Sequence, residues 1–458
     1  MMKALRALGM DGAVTYAFLA RLTSIAGSAG TVLLIVRFLS PVEQGYYYTL
    51  LSLVSLQVVF ELGFSFVIQQ LAAHECVHLE FGPNGSIGGD PGAHARLASA
   101  LRLSVRWYTI ASVAMVVVLA PLGIVFFSRN AAAGVVHVAW QGPWLVAVLA
   151  SSVSLWCMPF YSFLEGCGHV RAVAAMRFRQ AVAAALFAWA PLFLHHGLYS
   201  PAMVIVGQIA TGLLYVATHR RLLTGLLRHR ACAEAIEWKR EVWPFQWRIA
   251  VSWMCSYFTA QVFIPILFAL RGPVEAGQMG MSLSITGYMT VLALVWTTTK
   301  STPFGNLIAR RAFQQLDDLF RRALGRSLAA FTVIALAVCA GTALLPFIAP
   351  RLAARLVTPE IFAVLVLTAG AKCVIQCLAT LLRSFKTEPF LAQSLVVTTL
   401  TLTFATLTAP RWGNAGVALS YLAATVVAGL PLALAIFLRT RRGYMALAQL
   451  APCQSEAR

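Results

Sequence analysis

The chain has 458 residues, of which 59% are hydrophobic and 11% charged, with a mean hydropathy of +0.77. A soluble domain carries about 25% charged residues, so the composition excludes a water-soluble enzyme of this size. The formal charge of +19 would suit a nucleic-acid binder, but the charges lie in short clusters between long apolar stretches. There they face lipid headgroups and cytoplasm, and no nucleic-acid partner is expected.

A membrane span needs about 20 mainly apolar residues. The first such stretch, centred near Ile25, runs on to Phe38 past any small-residue cleavage site and reads as a retained span. Ser24, Ala26, Ser28, Gly30 and Thr31 give it a small-residue face for close packing. The loop after it reads Pro41-Val42-Glu43-Gln44-Gly45 and leads into Tyr46, Tyr47 and Tyr48, an expected interfacial belt. The second span is centred near Val58. Arg21 in the first span and Glu61 in the second lie at matching depths of about 12–14 Å, at about 1.5 Å per residue, where an ion pair can form.

Just past the second span, His74-Glu75-Cys76-Val77-His78 is an HExxH match, which on a helix turns two imidazoles to one face and can hold zinc. A zinc hydrolase also needs a third ligand and an open coordination position. No acid in the later spans supplies one, so the match reads as the polar end of an interfacial helix and no metal is expected. The Gly-rich stretch from Phe81 to Gly92 reads as a mobile loop. Arg96, Arg102 and Arg106 read as an amphipathic segment on the inner surface.

Further apolar stretches centre near Val116, Val153, Phe187 and Ala210, then near Ala260, Thr290, Leu336, Lys372, Leu400 and Val427. The expected fold class is therefore all-α, a polytopic membrane protein of about 12 transmembrane helices. His195-His196 falls in an outer loop and reads as a solvated turn. The basic stretch from His219 to Arg248 divides the chain into an N-terminal six-helix lobe, 1–225, and a C-terminal one, 226–458. Trp243, Trp247 and Trp253 form a second expected belt. Pro121, Pro159, Pro191, Pro265, Pro303 and Pro431 mark spans that could be bent or broken.

The second lobe repeats a motif of the first. Pro273-Val274-Glu275-Ala276-Gly277 stands about half the chain after Pro41-Val42-Glu43-Gln44-Gly45, and each copy lies between two apolar spans. Six spans per half start both halves on the same side, which makes them parallel repeats about an axis along the membrane normal. With the N-terminus inside, the outer basic residues are Arg37, Arg129, Arg271, Arg351, Arg355 and Arg411. Arg106 lies at a span edge, Arg21 and Lys372 lie within spans, and the rest of the 35 Lys and Arg fall on inner segments. That bias puts both termini in the cytoplasm.

Little in the sequence points to bond chemistry. There is no GxxxxGK[ST] phosphate loop, and the 16 Asp and Glu form no plausible acid/base dyad. The nine cysteines contain no CxxC pair. Cys157, Cys255, Cys339, Cys373 and Cys377 sit in apolar runs as small hydrophobes, and two thiols one turn apart at Cys373 and Cys377 make a poor metal site. No cofactor is expected. The informative groups are the ionisable ones inside spans, because each costs about 2.5–3.5 kcal/mol at a helix centre on insertion scales. Arg21, Glu61 and Lys372 are the candidate translocation residues. Lys372, near midspan with no acid in its own span, is expected on the wall of a watery cavity. Two bases and one acid make that cavity cationic, suited to an anion such as a pyrophosphate.

Arg37-Phe38-Leu39-Ser40-Pro41-Val42-Glu43-Gln44-Gly45-Tyr46-Tyr47-Tyr48, followed by Phe60-Glu61-Leu62-Gly63, resembles the polysaccharide flippases of the MOP superfamily, to which MATE-type drug exporters are distantly related. The resemblance covers roughly residues 13 to 110 of the chain and, beyond them, the span count and two-lobe plan. It implies two six-helix lobes that alternate between inward and outward openings. It implies a cargo such as an undecaprenyl-pyrophosphate-linked oligosaccharide, moved across the bacterial inner membrane for O-antigen or exopolysaccharide synthesis. Glycan polymerase and glycosyltransferases are the partners it suggests besides the bilayer. Charged residues of such flippases line a central cavity, and Arg21, Glu61 and Lys372 match that role. MATE exporters carry acids in the spans of one lobe, whereas Glu61 is the one intramembrane acid of this chain. A MATE-type exporter remains the alternative, and a membrane metalloprotease or glycan polymerase a more distant one.

Overall fold

A computed structural model describes residues 12–82, 87–131, 138–228, 238, 243–385 and 390–450. Lys3, Arg6, Arg230, Lys239, Arg240, Lys386 and Arg458, assigned to inner segments above, lie outside the described residues. The chain divides into two compact units, Met1–Met254 and Cys255–Arg458.

The first unit runs through α1 (Gly12–Phe38), α2 (Pro41–Val54), α3 (Gln57–Glu61) and α4 (Phe64–Cys76). A short antiparallel hairpin of β1 (Leu79–Phe81) and β2 (Ile87–Gly89) follows. Then come α5 (Pro91–Ala131), α6 (Gln141–Gly166), α7 (Val170–Phe193), α8 (Ser200–Thr218) and α9 (Arg220–Arg228). The next helix, α10 (Trp243–Gln261), contains the division between the units. The second unit continues with α11 (Phe263–Arg271), α12 (Pro273–Ala293), α13 (Val295–Thr298), α14 (Ser301–Ala309), α15 (Phe313–Ile348) and α16 (Pro350–Ala353). It ends with α17 (Pro359–Arg383), α18 (Leu391–Ala423), a π turn at Ala424–Gly429 and α19 (Leu430–Leu450).

All twelve expected span centres fall in helix. Among the described residues, by length and composition eight helices can cross a membrane, or nine if α2–α3 and α4, bent by 43°, form one broken span. One of the eight is the run Leu391–Met445, whose 55 residues would measure about 80 Å, more than twice the roughly 30 Å of hydrocarbon. Gly413 breaks it, with φ 51° and ψ −130° inside α18. The exposed surface of α15 is apolar at Val333, Leu336, Leu344, Phe347 and Ile348, a face suited to acyl chains. The fold is a multi-span α-helical membrane fold.

Both copies of the proline-glutamate motif start a helix. Pro41 and Pro273 occupy the first helical position, where a missing N–H is no loss, and Glu43 and Glu275 follow in the first turn. In α2 this closes a capping box: the Ser40 N–H donates to Glu43 Oε2 at 2.8 Å and the Glu43 N–H to Ser40 Oγ at 3.2 Å. In α12 the carboxylate instead accepts from Arg271 Nε at 3.0 Å and from the Asn414 N–H at 3.2 Å, just past the Gly413 break.

Close helix approach follows the small residues. A Cβ on Gly27 would lie 2.9 Å from that of Ala185, and one on Gly30 would lie 2.8 Å from the Trp189 ring, so α1 seats directly on α7. The Trp189 indole N–H then donates to Thr31 Oγ1 at 3.1 Å. Tyr46, Tyr47 and Tyr48 are buried, not an interfacial belt; Tyr46 stacks on Phe127 at 5.5 Å, within the unit's core. Trp243, Trp247 and Trp253 are exposed, as a belt requires. The Gly-rich stretch supplies β2, where Gly89 adopts φ 108°, so that part of it is ordered.

The prolines divide by position. Pro121, Pro159 and Pro191 lie inside uninterrupted helices. Pro265, Pro303 and Pro431 each sit in the first turn of a helix that follows a break at Val262, Thr299–Lys300 or the π turn. Proline cannot donate to the carbonyl four residues back, so the ladder slips just upstream of it.

Candidate functional site

The break between α3 and α4 places Glu61. Leu62 and Gly63 take left-handed φ values of 51° and 65°, and the chain turns at the end of α3. A leucine in that region is strained, which marks a geometry held by its surroundings. The Glu61 side chain points inward and is 5% exposed. It accepts the Ser65 hydroxyl, one turn on, and the Tyr108 hydroxyl of α5 sits against it. Phe64, Trp107, Tyr108 and Trp238 form an aromatic cluster beside this group: Phe64–Trp238 centroids are 5.0 Å apart, and Trp107 stacks on Trp238 at 4.9 Å.

Arg21 stands on an exposed part of α1. It does not meet Glu61, whose hydrogen-bond partner is Ser65. The sequence positions at matching depth therefore do not become an ion pair: the Ser65 hydroxyl, one turn away, satisfies the carboxyl first.

In the second unit Lys372 lies halfway along α17, half-buried. Its ammonium donates to the Tyr421 hydroxyl of α18 and lies 5.2 Å from the centre of that ring. Phe263 also packs against Tyr421, with ring centroids 4.9 Å apart. No carboxylate pairs with Lys372 among the described residues. An ammonium has three donors; one is used, and a phenol that accepts this bond keeps its own proton to give. Lys372 and Tyr421 together thus offer several donors to an acceptor-rich anion.

The HExxH residues do not share one helical face. Helix α4 ends at Cys76, so His78 leaves the helical face that would pair it with His74. Glu75 is buried and bound to Arg96 Nε at 2.9 Å. Among the described residues no group of three His, Cys, Asp or Glu is placed to hold a metal. The neighbouring Cys76 Sγ lies 3.0 Å from Cys167 Sγ, a contact the sequence gives no hint of.

Sequence reasoning also missed Asp317, which it did not single out. Asp317 sits 5% exposed near the start of α15. Arg441 of α19 grips it with two bonds, Nε to Oδ1 at 2.8 Å and Nη2 to Oδ2 at 2.7 Å, and Arg321 adds a third at 2.9 Å. With its charge fully paired, this acid fastens α15 to α19.

Solved structures with this architecture match nearly the whole chain. The Vibrio cholerae MATE transporter VcmN in its bent form matches with a TM-score of 0.59 at 14% identity, over 94% of this chain and 98% of that one. The lipid II flippase MurJ in an inward closed conformation matches at 0.56 and 12% identity, over 96% and 92%. A MOP superfamily transporter from Pyrococcus furiosus, described as having a binding pocket of reversed polarity that suggests a different function, matches at 0.54 and 14%, over 95% and 96%. Neither a protein-family model nor a curated protein sequence matches. The chain has the fold of the MOP-superfamily transporters.

Proposed function

We propose that this chain is a lipid-linked oligosaccharide flippase. Its cargo is an undecaprenyl-pyrophosphate glycan, moved from the cytoplasmic to the periplasmic leaflet of a bacterial inner membrane for O-antigen or exopolysaccharide synthesis. In this reading both termini are cytoplasmic, and glycosyltransferases and a glycan polymerase act before and after it. The observation that carries the reading is Lys372: a midspan cation held by a phenol and, among the described residues, by no carboxylate, with donors to spare. Such a group serves an anionic cargo and repels a cationic one. The fold shared with a lipid II flippase supports the class. No bond is made or broken. The protein gives the pyrophosphate and its sugars a wet route while the isoprenoid tail stays in lipid, and the Lys372 ammonium replaces water around the phosphates.

A competition experiment tests this choice of cargo. Purified protein in nanodiscs should bind undecaprenyl pyrophosphate and lose that binding about tenfold or more on Lys372→Ala, the scale for removing a charged partner. Preference for a cationic dye such as ethidium over the isoprenoid would overturn the reading.

Glu61 favours a second reading, ion-coupled efflux of MATE type. A buried carboxyl that accepts the Ser65 hydroxyl can exchange a proton during a transport cycle. The same group can drive a flippase by proton antiport. Reconstituted transport that ignores both an imposed pH gradient and Glu61→Gln would remove Glu61 from either scheme.

A further inference from the structure

The first unit holds a second convergent set of polar groups, on a different end of its helices. A cavity of about 640 Å³ opens where α2 and α6 begin and where the turn Gly197–Tyr199 leads into α8. That volume lies within the roughly 300–1,000 Å³ of small-molecule sites. Glu43, Gln141, His195, His196 and Tyr199 line it.

The fold spends little of their bonding capacity. Glu43 gives Oε2 to the α2 capping box, and Oε1 has no partner among the described residues. The His195–His196 corner is fastened through its backbone. His195 takes a left-handed φ of 60°, and the His196 N–H donates to the Pro191 carbonyl at 2.8 Å. The two imidazoles are left with edge-on ring contacts, to Phe38 and to Tyr199. The Tyr199 hydroxyl rests over Gly142, where a Cβ would strike it. Among the described residues no hydrogen bond is made by the Gln141 amide, the two imidazoles or the Tyr199 hydroxyl.

An amide, two imidazoles and a phenol each can donate and accept, and the carboxylate accepts. The complement is a molecule whose groups also do both, which is the property of a sugar's hydroxyls. Among the described residues no Lys or Arg lines the cavity, and its fixed charge is the Glu43 carboxylate, so a phosphate is disfavoured. An apolar ligand would leave the polar lining unsatisfied, each group at a penalty. We propose that this cavity binds a neutral, hydroxyl-rich saccharide unit. Its assignment to the glycan of the cargo rests on the flippase reading; the site's ligand class does not.

The test uses the full chain in nanodiscs on an array of immobilised neutral, sulfated and phosphorylated oligosaccharides. At least one neutral glycan should bind. Gln141→Ala with His196→Ala should weaken it about tenfold or more, and Tyr199→Phe, which removes a single hydroxyl, by a smaller factor. These side chains carry no hydrogen bonds among the described residues, so the variants should elute from gel filtration as the parent does. Binding to none of the glycans, binding unchanged in both variants, preference for the charged glycans, or displacement by tetraphenylphosphonium overturns the proposal. Lipid translocation measured on the same preparations separates the two claims. Glycan binding without translocation removes the flippase reading and keeps the site, and translocation without glycan binding does the reverse.

Discussion

Glu61 and Lys372 were legible as unusual because a charge inside an apolar run is visible in one dimension. Their partners were not. Tyr108 and Tyr421 stand in other helices, far along the chain, and meet these groups only once the helices pack. Asp317 was missed for the related reason that its distance from Arg441 in sequence hides a bidentate pair. Asp317→Asn should leave Arg441 with a weakened partner and lower stability by about 1–3 kcal/mol, less than a fully buried pair because the arginine keeps some water. Thermal unfolding in detergent measures this, and an unchanged midpoint would contradict the lock. His169, in the turn between α6 and α7, makes a pH prediction. Burial, with the His219 ring 5.1 Å away, holds its pKa below the ordinary histidine value. The folded chain therefore resists a proton that the unfolded chain accepts. Stability is present above about pH 6.5 and declines as pH falls through that value. His169→Gln should flatten the decline between pH 7 and 5, and an equally steep loss in the variant would show that other groups cause it.

At the scale of elements, the spans were legible because apolar runs of sufficient length have no other stable home, and every expected centre is helical. The places where helices break were read less well. Proline marked three of them, one turn late, while the breaks at Gly63 and Gly413 arise from left-handed backbone that hydropathy does not register. Tyr46–Tyr48 were misread because a row of tyrosines looks the same at an interface and in a core. The Gly413 break is held by Glu275, into whose carboxylate any Cβ at this position would run. Gly413→Ala should thus combine backbone strain with displacement of Glu275 and destabilise by about 1–3 kcal/mol. A midpoint of unfolding equal to that of the parent would mean the break is set elsewhere. Gly30→Val meets Trp189 on α7 and should likewise separate α1 from α7. A cysteine crosslink between those helices would report the separation as lost yield, and full yield in the variant would contradict it.

For the whole molecule, composition alone excluded a soluble fold, and the twelve apolar runs with their repeated Pro-Val-Glu-x-Gly motif pointed to the multi-span fold that MATE transporters and MurJ share. Fold at this level follows from hydropathy and length. Cargo does not, because it depends on a few charges whose meaning comes from their surroundings. The central claim is that a midspan cation with no carboxylate partner among the described residues serves a phosphate-bearing lipid head. It is tested most directly in liposomes carrying the protein and a fluorescent undecaprenyl-pyrophosphate oligosaccharide, with label reaching the far leaflet read by an impermeant quencher. The account predicts protein-dependent translocation that drops about tenfold or more on Lys372→Ala and is largely kept by Lys372→Arg. Translocation at the parent rate in Lys372→Ala, or none in the parent, would contradict it.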